Sequence, residues 1–266
     1  MIDNPNWLEG RFDLFKRYCL PSVVNQINKN FTWLIFFDIT TAKEFRLRIQ
    51  HIEERHPFIK AVYIDGAEAF NQSCIDEVKS RLNSQDEYVI TSRIDNDDAV
   101  HQDYISSVQE VFNKQDYCYI DCTKGLTLLD DKKIRVAKIT KPLNPFSSLI
   151  EKKSNNITTI STKNHDHWKG ISDQIQIMHK HLWLQVIHDG NITNQFGHLG
   201  YLTSGGYLTS DYDKVKNEFQ LAIDFSKREN RFTIVLYNIK LYCYHKLKHF
   251  QTICKNTLKR SLAGTL

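Results

Sequence analysis

The sequence predicts an α/β fold, with a mostly parallel sheet flanked by helices and a helical extension at the C-terminal end. In the first 120 residues, short apolar runs alternate with longer stretches whose apolar residues recur every three or four positions. From residue 211 onward, the helical spacing dominates. Strands separated by helices of this length pair in parallel, because the helix returns the chain to the edge of the sheet where the previous strand began.

The elements of the N-terminal half follow one another in a regular order. Helices are predicted over residues 7–24, with an interruption near Pro21, and over 41–56, 67–82 and 100–112. Strands are predicted over residues 31–38, 59–65, 87–93 and 117–121. Asp38 and Asp95 fall at or just after the ends of such strands, which is the edge where open α/β sheets bind ligands. Asp38 is equally well explained as a turn residue.

The second half of the chain is less regular. Two short strand-like segments, 127–129 and 135–139, flank a charged turn and predict a hairpin. The segments beyond it are expected to be irregular over 144–151 and 161–170, helical over 173–181 and extended over 183–191. We divide the chain into one α/β domain, residues 1–206, and a basic helical tail, residues 207–266.

The composition is that of a soluble globular protein, with 41% hydrophobic and 25% charged residues in a chain of 266. No stretch approaches 18 apolar residues, and the N-terminus lacks the basic and apolar regions of a signal peptide. We therefore expect a cytoplasmic protein. Nucleic-acid binding is disfavoured, because basic residues are concentrated only in the tail and the aromatic residues there follow helical spacing.

The tail has an unusual charge. Residues 231–266 contain seven Lys or Arg and no Asp or Glu, so the other residues carry −3 of the total net charge of +4 (+4 minus +7). An apolar stripe runs along the same segment from Phe232 to Ile253. We hypothesise a peripheral contact with the inner face of an anionic membrane. The alternative is that the stripe packs against the preceding domain and the charges face solvent.

An acidic segment follows the third predicted strand. Asp95, Asp97 and Asp98 place three carboxylates within four residues. Hard cations such as Mg²⁺ or Mn²⁺ take oxygen ligands, commonly one or two carboxylates together with substrate phosphates. The alternative is a solvated turn whose Asp97 or Asp98 caps the helix that follows. No phosphate-binding glycine loop is present in the sequence, so a nucleotide here would depend on the cation instead.

An ordered set of motifs, spread over residues 7–195, resembles the rhamnosyltransferase family, which is related to the GT-A fold inverting glycosyltransferases. The motifs are Arg11-Phe12-x-Leu14-Phe15, Leu20-Pro21-Ser22-Val23 with Gln26, Phe31-Thr32-Trp33-Leu34 ending in Asp38, Thr91 to Ala99, Asn144-Pro145-Phe146-x-Ser148-Leu149-Ile150-Glu151, and Trp183-Leu184-Gln185-Val186-Ile187-His188-x-Gly190-Asn191. The resemblance implies a GT-A-like, Rossmann-like sheet and a nucleotide-sugar donor bound at the strand ends.

The resemblance also implies roles for individual residues. The donor would be bound by Asp38, Arg93, Asp95 and Asn96. A divalent cation, Mn²⁺ or Mg²⁺, would be held by Asp97, Asp98 and His188. An inverting transfer needs a base for the acceptor hydroxyl. The base is not resolved among four acidic residues of the second half, Glu151, Asp166, Asp173 and Asp189.

The expected reaction moves a sugar, rhamnose if the family label applies, from a nucleotide-sugar donor to an acceptor hydroxyl. The acceptor would be a glycan or a lipid-linked molecule in surface polysaccharide assembly. Two alternatives stay open: a metal-dependent phosphoesterase, and a non-catalytic nucleotide- or sugar-binding protein on the same scaffold. The usual first strand of such domains is missing ahead of the first helix, which favours the scaffold alternative.

Overall fold

Helices and strands alternate through the N-terminal half of the computed structural model, which describes residues 5–189 and 207–263. The helices are α1 (Pro5–Leu14), α2 (Leu20–Val24), α3 (Lys43–Arg55), α4 (Phe70–Arg81), α5 (Tyr104–Glu110), α6 (Tyr212–Glu218) and α7 (Arg231–Ala263). The strands are β1 (Trp33–Asp38), β2 (Ile59–Ile64), β3 (Tyr88–Ser92), β4 (Ala99–Val100), β5 (Tyr117–Cys122), β6 (Lys124–Leu129), β7 (Arg135–Thr140), β8 (Ser147–Lys152), β9 (Gln174–Ile177), β10 (Trp183–Ile187) and β11 (Leu208–Thr209).

The described strands form three hydrogen-bonded sheets with the orders β1-β2, β3-β8-β5-β9 and β11-β7-β6-β10-β4. Three of the described pairings are parallel, β1 with β2, β5 with β9 and β6 with β10, and the other five are antiparallel. The α/β class is therefore confirmed, but the mostly parallel sheet is not. The reason is that β6 and β7 form a hairpin without an intervening helix, and that β8 lies between β3 and β5 and runs antiparallel to both.

Two expectations for the second half are wrong. The segment 144–151 is not irregular, because β8 occupies the position between β3 and β5. The segment 173–181 is not a helix, since its first residues form β9 and pair in parallel with β5, Gln174 opposite Tyr119. The predicted hairpin is confirmed by the antiparallel pairing of β6 with β7.

The first helix continues past its proline by widening one turn. A π-helical turn, Phe15–Cys19, joins α1 to α2. Pro21 has no N–H to donate to the carbonyl of Arg17, four residues earlier. That carbonyl instead accepts a hydrogen bond from the N–H of Ala222 at 2.9 Å. The expected interruption near Pro21 is thus a change of helix type, and the freed carbonyl binds the C-terminal part of the chain.

A stacked aromatic pair fixes the position of β10. Trp183 lies opposite Gly125 of β6, stacks on Phe146 with ring centroids 4.9 Å apart, and donates its indole N–H to the carbonyl of Cys122 at 2.5 Å. A Cβ atom added to Gly125 would lie 2.1 Å from the indole ring. Glycine is therefore required here by the close approach of the ring.

The C-terminal residues extend the sheet and the core. β11 pairs with β7, and the side chain of Asn238 bonds both the N–H and the carbonyl of Leu208, each at 2.9 Å. Ile234 and Leu241 of α7 are buried in the same core as Leu184 of β10. At least the first part of the predicted tail therefore packs against the sheet that carries the site described below.

Candidate functional site

The acidic segment is a loop between two strands of different sheets. β3 ends at Ser92 and β4 begins at Ala99, so Arg93 to Asp98 form the connection. Within it the N–H of Asp98 bonds the carbonyl of Asp95 at 3.2 Å, which closes a turn. The carboxylate of Asp98 accepts the N–H of Val186 at 2.8 Å. This bond brings the loop to the end of β10, immediately before His188.

Asp97 is the centre of the site. One carboxylate oxygen, Oδ2, lies 3.2 Å from a guanidinium nitrogen of Arg11 and 3.1 Å from Nε2 of His188. The three side chains are largely buried, with 12%, 22% and 11% of the surface of Asp97, Arg11 and His188 exposed. Arg11 also donates to the side-chain oxygen of Asn96. Residues from α1, the acidic loop and the end of β10 therefore converge on one carboxylate.

Arg11 is the site residue that sequence reasoning missed. The sequence places Arg11 in a motif of the first helix and indicates no role for its side chain. Its partner Asp97 lies 86 residues further along the chain. One feature of the sequence could have indicated Arg11: it is a charged residue next to an apolar one, Phe12, which is buried and stacks on Phe37 near the end of β1.

Asp98 is almost fully buried, and burial raises the pKa of its carboxyl well above the usual range. The negative charges of Asp97 and Asp95 raise it further, whereas the N–H of Val186 opposes them. The raised pKa means that the ionised carboxylate destabilises the folded state in the absence of a cation. A cation bound here would stabilise the ionised form of Asp98.

We expect Asp98→Asn to stabilise the ligand-free protein at pH 7 by on the order of 1 kcal/mol. Asparagine keeps an oxygen for the N–H of Val186 but carries no charge beside Asp97. The raised pKa of Asp98 makes the wild-type protein less stable as the pH rises. At lower pH Asp98 becomes protonated, so the difference in the free energy of unfolding between Asp98→Asn and wild type should shrink. Urea unfolding between pH 5 and 8 measures this difference. A variant that is less stable than wild type at pH 7 would contradict the interpretation.

Asp95 and Arg93 line a cavity of about 810 Å³ that begins at the acidic loop. Asp95 is exposed at the surface. Its carboxyl is nevertheless partly desolvated by the surrounding protein, and this desolvation raises its pKa. The charge of Arg93 opposes that rise and the charge of Asp97 adds to it, with smaller lowerings from Arg11 and His165. Arg93 donates its Nε–H to the carbonyl of Pro145 at 2.9 Å, which orients the guanidinium along the cavity wall.

Asp38 is the last residue of β1. Its carboxylate accepts the N–H of Thr40 at 2.7 Å and the hydroxyl of Thr40 at 2.5 Å, in the turn that follows β1. These two bonds lower the pKa of Asp38. The structure thus shows the turn role, and contact with a donor base stays a prediction.

The candidates for the catalytic base lie in different surroundings. Glu151 is buried and accepts three hydrogen bonds, two from Thr158 and one from the N–H of Thr159. Asp173 and Asp189 are exposed. The side chain of Asp166 lies outside the described residues. Glu151 is therefore engaged in holding the backbone that follows β8, and the base remains unassigned.

The predicted cation ligands meet without forming a complete set. Across residues 5–189 and 207–263, no three His, Cys, Asp or Glu side chains are arranged to hold a metal ion. Asp97 and His188 are in contact, and Asp95 and Asp98 lie near enough for their charges to interact. Mg²⁺ is commonly bound by one or two carboxylates with substrate phosphates supplying the rest. The residues therefore fit a cation that binds together with a diphosphate.

The fold and the site define a mixed α/β protein with an acidic loop at a strand end, open to a cavity. The chain belongs to a protein family described as "putative rhamnosyl transferase", whose model matches residues 1–198. This confirms the resemblance predicted from the motifs and indicates a glycosyltransferase. Searches of curated proteins and of solved structures found no match.

Proposed function

We propose that this protein is a glycosyltransferase that transfers a sugar from a nucleotide-sugar donor to an acceptor hydroxyl with the aid of Mn²⁺ or Mg²⁺. The observation that carries the proposal is the convergence of Arg11, Asp97 and His188 beside the acidic loop. Membership of the family supports rhamnose as the sugar. We further propose a glycan or lipid-linked acceptor in surface polysaccharide assembly.

The site residues suit a diphosphate leaving group. A bound cation would neutralise the negative charge that develops on the diphosphate. Asp97 and His188 would hold that cation, with Asp95 and Asp98 completing the negative field. Arg11 pairs with Asp97 in the ligand-free protein, and its planar guanidinium can turn to a phosphate and bind it through two hydrogen bonds. Arg93 would bind the donor from the cavity wall.

The acceptor hydroxyl must lose a proton in the transfer. Among the described candidates, Asp173 and Asp189 are exposed and free to meet an acceptor from solvent, whereas Glu151 is committed to Thr158 and Thr159. We therefore keep Asp173 and Asp189 as the candidates for the base and regard Glu151 as the weakest.

Isothermal titration calorimetry against a panel of nucleoside diphosphates, with and without Mn²⁺, tests the proposal. We expect one nucleotide to bind, and to bind only when the cation is present. Hydrolysis of a nucleotide sugar without an acceptor would identify the metal-dependent phosphoesterase. Binding without transfer to any glycan would favour the non-catalytic scaffold. No binding across the panel would contradict a donor site.

We also propose that α7 holds the protein at the inner, cytoplasmic face of an anionic membrane. The helix docks through Ile234 and Leu241, so its outer face carries a stripe of exposed apolar residues: Phe232, Val235, Leu236, Ile239, Tyr242 and Leu247. Interfacial helices combine such a stripe with basic residues, and each Lys or Arg contributes about 1 kcal/mol near an anionic surface. Within the described parts of the chain, every helix is too short or too polar to cross a bilayer.

Binding to phosphatidylserine-containing vesicles should fall about tenfold in a double variant, Phe232→Ser with Ile239→Ser, because both side chains are exposed on the proposed membrane face. Co-sedimentation at low salt measures the effect, and wild-type binding should be lost at high salt. Leu47→Ser, which removes an exposed apolar side chain from α3, is the matched control. Equal binding by the double variant and wild type would show that this stripe is not the membrane contact.

A further inference from the structure

The amino ends of β6 and β10 lie side by side, away from the acidic loop. The two strands run parallel, with Trp183 opposite Gly125, and the N–H of Leu182 bonds the carbonyl of Lys124 at 3.0 Å. His181 therefore stands beside the first residue of β6. The five residues of β10 separate it from the loop at the other end of the strand by about 16 Å.

Lys124 and Lys138 leave the sheet on the same face. In the pairing of β6 with β7, Lys124 lies opposite Thr140 and Leu126 lies opposite Lys138. Opposite residues share a face, as do residues two apart on one strand, so both lysines share the face of Leu126. Leu126 is buried in the same core as Val215 of α6. The two lysines are thus at the rim of the face that α6 covers.

The end of α6 reaches the same place. The N–H of Gln102 bonds the carbonyl of Glu218, and the N–H of His101 bonds the carbonyl of the residue after His181, both at 2.9 Å. These two bonds hold the last residue of α6 close to His181. Lys214 is four residues before Glu218 and therefore lies on the same side of the helix.

Positive charge exceeds negative charge around His181. Burial lowers the pKa of His181, and the charges of Lys138 and Lys124 lower it further. Glu218 opposes this effect, and Lys214 adds a smaller lowering. Three lysines and one carboxylate therefore surround an imidazole that is neutral at pH 7. We call Lys124, Lys138, Lys214 and His181 the basic cluster.

The carboxylates near the basic cluster have other partners. Glu218 lies 3.8 Å from Lys214 and 3.9 Å from Nε2 of the buried His101. Asp103, the next carboxylate, pairs with Lys180. Within residues 5–189 and 207–263, the other two lysines of the cluster form no ion pair. Two positive charges are therefore available to an anion from outside the chain.

We propose that the basic cluster binds a phosphate group. Lysine ammonium groups bind phosphate as point charges, and three of them suit an anion with several oxygens and two negative charges. The half-buried His181 adds a ring N–H donor. This site is separate from the candidate active site and needs no nucleotide.

Two sources can supply the phosphate, a free phosphate ion and the headgroup of a lipid. The N–H of Lys138 bonds the carbonyl of Tyr207 at 2.9 Å, and the next residue, Leu208, is bound by Asn238 of α7. The basic cluster therefore lies on the strand next to the one that α7 contacts. The experiment below separates the two sources.

Nuclear magnetic resonance of the His181 imidazole in the full chain tests the site without any measurement of activity, and His181→Gln identifies the resonance. In inorganic phosphate, the pKa of His181 should be higher than in sodium chloride of equal ionic strength, because a bound anion favours the charged imidazole. Titration of the same resonance with phosphate at constant pH gives the affinity.

Replacing both unpaired lysines, Lys124→Met with Lys138→Met, should weaken phosphate binding by about tenfold. The matched control, Lys43→Met with Lys60→Met, removes two exposed lysines from α3 and β2 and should bind as wild type does. Equal pKa values of His181 in phosphate and in chloride would overturn the proposal. Equal phosphate binding by the first double variant and wild type would overturn it too.

Vesicles distinguish the two sources. Co-sedimentation compares phosphatidic acid, whose headgroup is a phosphate monoester, with phosphatidylserine at equal surface charge. A preference for phosphatidic acid that is lost in Lys124→Met with Lys138→Met assigns the site to a lipid headgroup, and phosphate binding without this preference assigns it to a free phosphate. The variant leaves the acidic loop and the apolar stripe of α7 unchanged, so its failure would not affect the proposed transferase activity or membrane contact.

Discussion

Asparagine at position 97 should weaken the binding of a nucleoside diphosphate with Mn²⁺ by about a hundredfold, or about 2.7 kcal/mol. Asp97 is the only residue of the acidic loop that contacts both Arg11 and His188 among the described side chains. The substitution keeps an oxygen for Arg11 and the size of the side chain, but removes the charge that a cation requires. Calorimetric titration of the variant, with the nucleotide that wild type prefers, measures the loss.

The fold should survive Asp97→Asn, so circular dichroism and the thermal midpoint should stay close to those of wild type. Asp131→Asn removes the same charge from an exposed position in the turn between β6 and β7 and is the matched control. It should bind nucleotide and cation as wild type does. If Asp97→Asn also binds like wild type, the acidic loop does not hold the cation, and the proposed donor site is wrong.

Gly125→Ala should destabilise the protein by about 3 kcal/mol, at the upper end of the range for adding atoms to a packed core. The new Cβ would lie 2.1 Å from the indole of Trp183. The ring has little freedom to move, because Phe146 stacks on it at an interplanar angle of 5° and Cys122 accepts its N–H. Urea unfolding measures the change in the free energy of unfolding.

Gly10→Ala is the control for Gly125→Ala, because it makes the same substitution where there is room for the new atom. Gly10 lies in α1, and a Cβ added there meets nothing within 4 Å. Alanine should stabilise that helix by about 0.5–1 kcal/mol.

Adding Trp183→Leu to Gly125→Ala should cost less than the sum of the two single changes, because the clash disappears with the ring. Wild-type stability for Gly125→Ala would show that the indole is not held as described.

The spacing of apolar residues was enough to predict the helices and strands that lie between polar turns, such as β1, β2 and the helix between them. It failed at β8 because Ser147, Ser148 and Glu151 are buried polar residues in a strand. The charge of Glu151 is satisfied by Thr158 and Thr159, which a local pattern does not reveal. The helix predicted over 173–181 was wrong because β9 is extended through its pairing with β5, which the local sequence does not show.

The candidate site was predictable to the extent that its residues belong to one short motif. The strand end and its carboxylates follow from local sequence, and the resemblance added His188. Arg11 could not be assigned, since its contact with Asp97 depends on how α1 crosses the ends of strands formed much later in the chain.

The bond from Ala222 to the carbonyl of Arg17 has a consequence for the order in which the protein matures on the ribosome. The two residues are far apart in sequence, and the carbonyl is one that Pro21 leaves without its usual helical partner. The helix that carries Arg11 is made first, yet its docking is complete only after residue 222 has left the exit tunnel. Contacts between such distant residues form slowly. Nascent chains shorter than this lack the bond to Arg17, so the turn around Arg17 should complete its docking late in synthesis.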